Sequence, residues 1–328
     1  MRVGKNPNKN ILLKQNNYFH QIIIPVYIPH QEDYFQESFV IFQNCINSLF
    51  RTVHSQTYIS IINNGSCEKV KYFIDDLFQK KLVHEVIHTD NIGKVNAVLK
   101  GLVGHSFPLV TITDSDVMFL NDWQKETYRV YSQFPLAGVV GITPMLNLNY
   151  YLTSNIIFRN FFNKQIKFSK IINEKAMQVF YKSIDREKEF LDNKDKRTLT
   201  IQKNNYQVIL GSGHYVATYK GDIFESIKKF SNYKLGGDIE FQIDKFALKK
   251  GYWRLTTLDN FAYHMGNTVE NWMETEIHLL KNSNPVETIS FPKRRKISKF
   301  RYFIENKLFQ KIFNFKGFRK FYENWMSK

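Results

Sequence analysis

The sequence predicts an α/β fold built on a mostly parallel sheet with helices on its faces. Short apolar runs alternate with longer amphipathic stretches through the first 120 residues. The longer stretches carry helical periodicity, and turn-forming residues fall where the apolar runs stop. His20–Ile28 (HQIIIPVYI) reads as a buried strand. Glu37–Val53 then sets Phe39, Phe42, Cys45, Ile46, Leu49 and Val53 on one helical face. Thr57–Ile62 is strand-like and ends in the turn Asn63-Asn64-Gly65-Ser66. Val70–Leu82 reads as a helix, His84–His88 as a short strand, and Lys94–Leu102 as a helix entered through Asn91-Ile92-Gly93. Phe107–Thr113 is a further strand, stopping at Asp114-Ser115-Asp116. Strands alternating with helices imply parallel βαβ units. Ligands of such sheets sit outside the carboxyl ends of the strands, where both the Asn63 turn and the Asp114 triplet fall.

Leu136–Ile142 reads as one more core strand. Residues 150–205, rich in Asn, Lys and Phe, break the alternation and are expected to form an insertion of helices and loop. Order resumes at Tyr206–Lys220, followed by a helix at Gly221–Phe230. The Gly-rich turn Leu235-Gly236-Gly237 then opens a helix with Ile239, Ile243, Phe246 and Ala247 on its apolar face.

Composition narrows the classes. With 328 residues and 43% hydrophobic content the chain can bury one large α/β domain plus an appendage. Cys45 and Cys67 form no CxxC pair, which suits a reducing compartment. Nothing at the N-terminus resembles a signal peptide, and no run approaches the roughly 18 apolar residues of a spanning helix. A cytoplasmic protein is expected. The net charge of +16 is concentrated at the end: residues 291–328 hold twelve Lys or Arg and two Glu.

Asp114-Ser115-Asp116, directly after a hydrophobic strand, is the strongest chemical signal. Two carboxylates one residue apart at a strand end can face one crevice, and hard divalent cations such as Mg²⁺ or Mn²⁺ take oxygen ligands of this kind. The alternative is that both simply cap the following turn.

The order of features resembles the family 2 glycosyltransferases and their GT-A relatives. The motifs are an opening strand carrying a proline (Ile24-Pro25-Val26-Tyr27), a second strand ending in an Asn-Gly-Ser turn, and an Asn-x-Gly-Lys helix entry at Asn91–Lys94 with Asn96. The aspartate-x-aspartate follows, then an acidic pair at a helix start (Gly237-Asp238-Ile239-Glu240) and a late histidine in Tyr263-His264-Met265-Gly266-Asn267. The resemblance spans about residues 18–270, which sets a catalytic domain at 18–275 between an N-terminal extension, 1–17, and a tail, 276–328.

The resemblance implies a GT-A fold and a sugar transferred from a nucleotide-activated donor, with uracil as the expected base, to a glycan or lipid-linked acceptor. It implies that Pro25, Tyr27 and Asn63 or Asn64 contact the nucleoside, and that Lys94, with Asn96 beside it, approaches the phosphates or sugar. It places Asp114 and Ser115 near ribose and metal, with Asp116 the firmer metal ligand and His264 a third. Asp238 is then the general base, favoured by its place at a helix N-terminus, and Glu240 the other candidate. Two departures stand out: relatives often carry Asp where this chain has Asn63-Asn64, and Gly237 replaces the usual Glu of the acidic pair. A retaining transferase, with Asp238 positioning the acceptor, and a non-catalytic glycan- or membrane-binding protein on the same fold are the alternatives. The intact acids Asp114, Asp116, Asp238 and Glu240 argue against the second. A nucleotidyltransferase would need a Gly-rich basic loop after the first strand, and Ile28–Asp33 is not one. His84, His88, His105 and His214 show no metal spacing and are expected to be structural, while Gly211-Ser212-Gly213-His214 corresponds to a loop that helps form the acceptor site in relatives.

The tail interleaves eleven aromatic residues with its twelve basic ones, and Phe300, Phe303, Leu308, Ile312 and Phe315 fall close to one helical face. A basic amphipathic helix with aromatic anchors suits an anionic membrane surface. That would set the protein peripherally on the inner face of the plasma membrane, in surface-glycan synthesis. The competing expectation is that the tail packs on the domain. No nucleic-acid module accompanies the charge, so nucleic acid is not an expected partner.

Overall fold

A run of β-branched and aliphatic residues between polar turns gives β1 (His20–Val26), which is buried along its whole length. Its neighbours alternate strand and helix: α1 (Ser38–Thr52), β2 (Thr57–Asn64), α2 (Glu68–Gln79), β3 (Glu85–Thr89), α3 (Lys94–Leu102), β4 (Leu109–Thr113), β5 (Val117–Phe119), α4 (Trp123–Gln133) and β6 (Ala137–Gly141). Further on come α5 (Ser154–Arg159), β7 (Ile166–Lys170), α6 (Glu174–Ser183), α7 (Glu187–Asp192), β8 (Arg197–Lys203), β9 (Tyr206–Leu210), β10 (Val216–Lys220), α8 (Ile239–Lys249), β11 (Trp253–Thr257), β12 (Ala262–His264) and α9 (Asn271–Leu279). The tail forms α10 (Lys299–Phe303), a π-helical turn (Ile304–Leu308), α11 (Phe309–Asn314) and α12 (Lys316–Met326). The structure, a computed structural model, describes residues 4–6, 9, 11–12, 17–148, 151–163, 165–226, 234, 239–283 and 297–326.

Ten strands make one sheet in the order β3-β2-β1-β4-β10-β6-β11-β9-β8-β7, and β5 pairs with β12 in a separate ribbon. The first four run parallel, and β10 enters antiparallel between β4 and β6. Both sides of the parallel part are covered, so β1 is apolar on successive residues rather than on alternate ones. Ile22, Ile24 and Val26 pack toward α1 and α2, while Ile23 joins Val95, Val98 and Ile243 on the face covered by α3 and α8. The chain leaves β1 toward β2 and β3, then returns on the other side through β4. That reversal makes the carboxyl ends of β1 and β4 the crevice where ligands of such sheets bind.

Two expectations are corrected. The 150–205 insertion is not confined to helices and loop, because β7 and β8 pair antiparallel and extend the sheet through β9. The Thr-Leu-Thr-Ile alternation of β8 supplies one strand, and half-exposed β7 closes the edge. The helix expected over 221–230 is a 3-10 turn at Gly221–Ser226, with the rest of that span outside the described residues.

The tail docks by one face. Phe309, Phe313 and Tyr322 are buried against the cluster that holds Ile156, Ile157 and Ile166. Glu305 is 1% exposed and takes both Nε and Nη2 of Arg159, at 2.8 and 2.7 Å, together with Nε of Arg301 at 2.7 Å. Phe300, Phe303, Leu308, Ile312 and Phe315, the face expected from the sequence, are all exposed.

Candidate functional site

The crevice is lined by the ends of β1, β2 and β4. Pro25 is buried in β1 opposite Ile62. Tyr27, just past the strand, is partly exposed and meets Phe35 edge-on. Asn63 and Asn64 end β2 and are almost fully buried. The Asn63 oxygen accepts from the Ser66 amide at 2.9 Å and its nitrogen lies 2.9 Å from His88 Nδ1. The Asn64 oxygen accepts from the Ile92 amide at 3.0 Å. Asn63 therefore closes the β2 turn on itself and ties it to β3, Asn64 binds it to the Asn91–Gly93 loop, and the turn-forming role is the one the geometry displays. Asn96 likewise donates to the Ile92 carbonyl at 2.7 Å. Gly93 turns the chain into α3 with φ +88°, a left-handed value that glycine adopts without strain.

Lys94 opens α3, and its Nζ stands 2.6 Å from Oδ1 of Asp114 at the end of β4. The Asp114 amide is held by the Tyr215 carbonyl at 2.7 Å, which ties the triplet to the residue preceding β10. Ser115 is half-buried between the two acids. Asp116 faces the β12 ribbon: His264 Nε2 lies 3.4 Å from its Oδ2, and the Met265 amide donates to its carbonyl at 2.8 Å. Asp116 Oδ1 is sealed from solvent and has no hydrogen-bonding partner among the described residues. Burial pushes the Asp116 carboxyl above the usual range and Asp114 adds to this, while His264 and Lys94 act in the opposite direction. A buried oxygen without a donor, beside a second carboxylate, is stabilised by a cation.

The sequence-predicted residues thus form two pairs, Lys94 with Asp114 and Asp116 with His264. Among the described residues no three of His, Cys, Asp and Glu stand in metal-ligating range of one another. The donor set nevertheless fits a hard divalent cation: one imidazole nitrogen and carboxylate oxygens, one of them unpartnered. Glu240 falls in the first turn of α8, and Asp238 lies outside the described residues.

Sequence reasoning passed over a buried network behind the crevice. Asp244 of α8 and Arg254 of β11 are both fully buried and lie 2.7 Å apart, and His214 Nδ1 lies 3.1 Å from Asp244. Arg254 also donates to the Ser212 carbonyl at 2.7 Å, so the 211–214 loop is braced by an ion pair from two distant elements. Lys94, Val98, Ile112, His214 and Tyr219 line a small cavity between them. No spacing in the sequence announces this set, because its members lie 10 to 40 residues apart. Ser183, whose Oγ lies 2.9 Å from His264 Nδ1, was passed over as well, because it stands 81 residues from that histidine.

The profile of glycosyl transferase family 2 matches residues 22–189, just over half of the chain. Comparison with curated proteins returns no match. Among solved structures, the 1–349 piece of TarS from S. aureus in complex with UDP-GlcNAc aligns at 12% identity and TM-score 0.45, covering 78% of this chain and 60% of that one. The same piece without that ligand gives 12% identity and 0.44, covering 75% and 60%. The mannosyltransferase PcManGT from Pyrobaculum calidifontis, in complex with GDP-Man and Mn²⁺, gives 12% and 0.41, covering 74% of this chain and 55% of that one. The chain therefore spans about 60% or less of the length of each. It belongs to glycosyl transferase family 2.

Proposed function

We propose that this family 2 member transfers a sugar from a nucleotide-activated donor, a UDP-sugar by preference, to a hydroxyl of a glycan or lipid-linked acceptor, with inversion. The observation that carries the reading is the Asp116–His264 pair, with Asp116 Oδ1 unpartnered, at the carboxyl end of β4 where the sheet order reverses. Such a pair at such a place fits a site for Mn²⁺ or Mg²⁺ and the diphosphate it accompanies. When bound, a divalent cation neutralises charge on the departing diphosphate.

The remaining roles belong to the chain. Asp116 and His264 supply the protein's oxygen and nitrogen ligands. Lys94 sits at the N-terminus of α3, where ammonium and helix dipole both favour a phosphate, and Asp114 gives up its contact with Lys94 to reach the ribose. Tyr27 offers an exposed ring to the base beside Pro25, and Asn63 and Asn64 shape that wall of the crevice. Asp238 takes the proton from the acceptor hydroxyl. The oxygen attacks the anomeric carbon from the face opposite the nucleotide, and the bond to the diphosphate breaks. Glu240 is the alternative base. Residues 18–275 form the catalytic unit, and 276–328 an appendage. Among the described residues no helix is long and apolar enough to cross a membrane. The exposed aromatic face of the tail, flanked by Lys and Arg, supports peripheral attachment to an anionic inner membrane surface, where a lipid-linked acceptor would be met in surface-glycan synthesis.

The test is release of nucleotide from UDP-, GDP-, CMP- and dTDP-sugars, with Mn²⁺ or with EDTA, for the native chain, Asp116→Asn and Asp238→Asn. Metal-dependent release from one donor, lost in Asp116→Asn, is expected. Loss in Asp238→Asn only when acceptor is supplied identifies the base. No turnover, together with no calorimetric binding of any donor in the presence of Mn²⁺, refutes the transferase reading.

A further inference from the structure

His264 is placed by two elements. Its backbone pairs with Val117 in the β5–β12 ribbon, which aims the ring at the Asp116 loop. The orientation of the ring is set from α6, within the 150–205 insertion. Ser183, the last residue of α6, has its Oγ 2.7 Å from the Phe180 carbonyl and 2.9 Å from His264 Nδ1. A carbonyl oxygen only accepts, so the single hydroxyl proton goes to Phe180 and a lone pair of Oγ faces Nδ1. Nδ1 must then carry the proton, and in the neutral ring Nε2 is left as a bare lone pair. Nε2 lies 3.4 Å from Oδ2 of Asp116. Two acceptors facing each other gain nothing from one another and both gain from a cation between them.

The rest of the packing preserves this arrangement. Tyr215 and Phe180 meet the imidazole edge-on, with centroids 5.2 and 6.2 Å away, and pack against the ring. Lys182, next to Ser183, pairs with Glu270 at 2.6 Å, which ties α6 to the chain just beyond β12. Gly266 has φ +70°, and a Cβ there would approach the Ser183 carbonyl to 3.2 Å. A side chain at 266 would press on the end of α6 that holds the hydroxyl.

We propose that Ser183 is a positioning residue: it fixes His264 as the Nδ1–H tautomer, so that Nε2 is presented, with Asp116, to a divalent cation. The cation rests on the function proposed above, whereas the tautomer rests on the hydrogen bonds alone. Hydrogen bonds of this kind to a ligating histidine hold tautomer and ring angle, and their loss weakens metal binding about 10–100-fold.

The experiment uses the full chain with ¹⁵N-labelled histidine. Long-range ¹H–¹⁵N spectra of the metal-free protein at pH 8 read the His264 tautomer, assigned with His264→Gln. Mn²⁺ binding is read by the loss of the free-ion electron paramagnetic resonance signal. Wild type and Ser183→Thr, which retains the hydroxyl, are expected to show a protonated Nδ1 and similar Mn²⁺ affinity. Ser183→Ala is expected to show mixed tautomers and an affinity about 10–100-fold lower. A wild-type ring protonated on Nε2 alone overturns the proposal, and that measurement needs no variant to fold. So does a Ser183→Ala protein with unchanged tautomer, or one with mixed tautomers but unchanged Mn²⁺ affinity. If wild type has the expected tautomer and binds no Mn²⁺, the metal reading and the presentation of His264 to a cation both fail, while the hold of Ser183 on the ring stands.

Discussion

Glu305→Ala removes the one carboxylate that receives two arginines where the tail meets the domain. Arg159 is 11% exposed at its side chain and makes both of its bonds to the carboxylate, while Arg301 is 55% exposed. Breaking a buried pair from one side costs about 3–5 kcal/mol. Arg159 retains some solvent, and the exposed Arg301 bond adds under about 1 kcal/mol, which sets the expected loss at about 3 kcal/mol. Three buried aromatics, Phe309, Phe313 and Tyr322, still hold the tail and contribute about 1.5–3 kcal/mol each before the entropy of ordering is subtracted. Loss of the clip therefore favours local undocking over global unfolding. Hydrogen exchange should show protection across residues 299–326 falling about 100-fold while β1 and β4 keep theirs. Acid should act in the same direction. Burial works against the Glu305 charge, but the hydrogen bonds from Arg159 and Arg301 outweigh it and hold the carboxyl below its ordinary value of 4.5. Docking is then fully stabilised above that value and weakens as pH falls through the lower folded one. The pair Glu305→Leu with Arg159→Met should recover most of the loss, because no charge is left buried. Unchanged exchange in Glu305→Ala, or a double variant no more protected than the single one, would refute the reasoning.

Arg254→Leu strands Asp244, fully buried, without its 2.7 Å partner. Urea titration should show a loss of about 3–5 kcal/mol, and a loss under 1 kcal/mol would mean the carboxylate finds another donor. The second expectation concerns acid stability through two histidines: burial holds His54 down at about 4 and His20 well below its usual value, with His54 adding to the effect on His20. Both are neutral in the fold and bind protons more readily when unfolded, so their contribution is complete above about 6.5 and is lost as pH falls toward 4. Melting temperature should decline over that window and do so less in His54→Gln. Finally, Phe300→Ser with Phe315→Ser should reduce sedimentation with vesicles containing anionic phospholipid while the melting temperature stays within about 1 °C, since both side chains are exposed. Equal binding by the variant would remove the aromatic face from the attachment surface.

The first half of the fold is legible because burial there is sequential. β1, β2 and β4 are short apolar runs buried along nearly their whole length, each helix has one apolar stripe, and β1, β2 and β3 are neighbours in the sheet as they are in the sequence. Asp114 and Asp116 could be placed for that reason: a polar triplet after a buried strand has only the carboxyl edge to occupy. Legibility ends where pairing becomes long-range. β10 inserts beside β4 about a hundred residues after it, and no local pattern encodes that partner. The alternation in β8 was present in Thr198–Ile201, but the charged run from Lys182 to Arg197 precedes it, and its edge partner β7 is too short and too exposed to stand out. At the site, the sequence supplied His264 but not Ser183, because a hydroxyl 81 residues away carries no signature until the fold brings it to Nδ1.

The tail shows the same limit in a different form. It has aromatic residues all round its helices, so periodicity selects a face without saying which face the domain takes. The expected face, Phe300 to Phe315, is the exposed one, and Phe309, Phe313 and Tyr322 are spent on packing. What separates the two is charge. A carboxylate at Glu305, set among twelve basic residues, would be well satisfied in solvent on a basic surface. It is instead 1% exposed and anchored by Arg159 from α5. Burying a charge is tolerated only where its partner is fixed in place, so Glu305 marks the docked face and leaves the opposite, aromatic face to whatever the protein meets outside itself. The two expectations for the tail, packing on the domain and presenting anchors to a surface, are therefore compatible: the first holds the second in a fixed orientation.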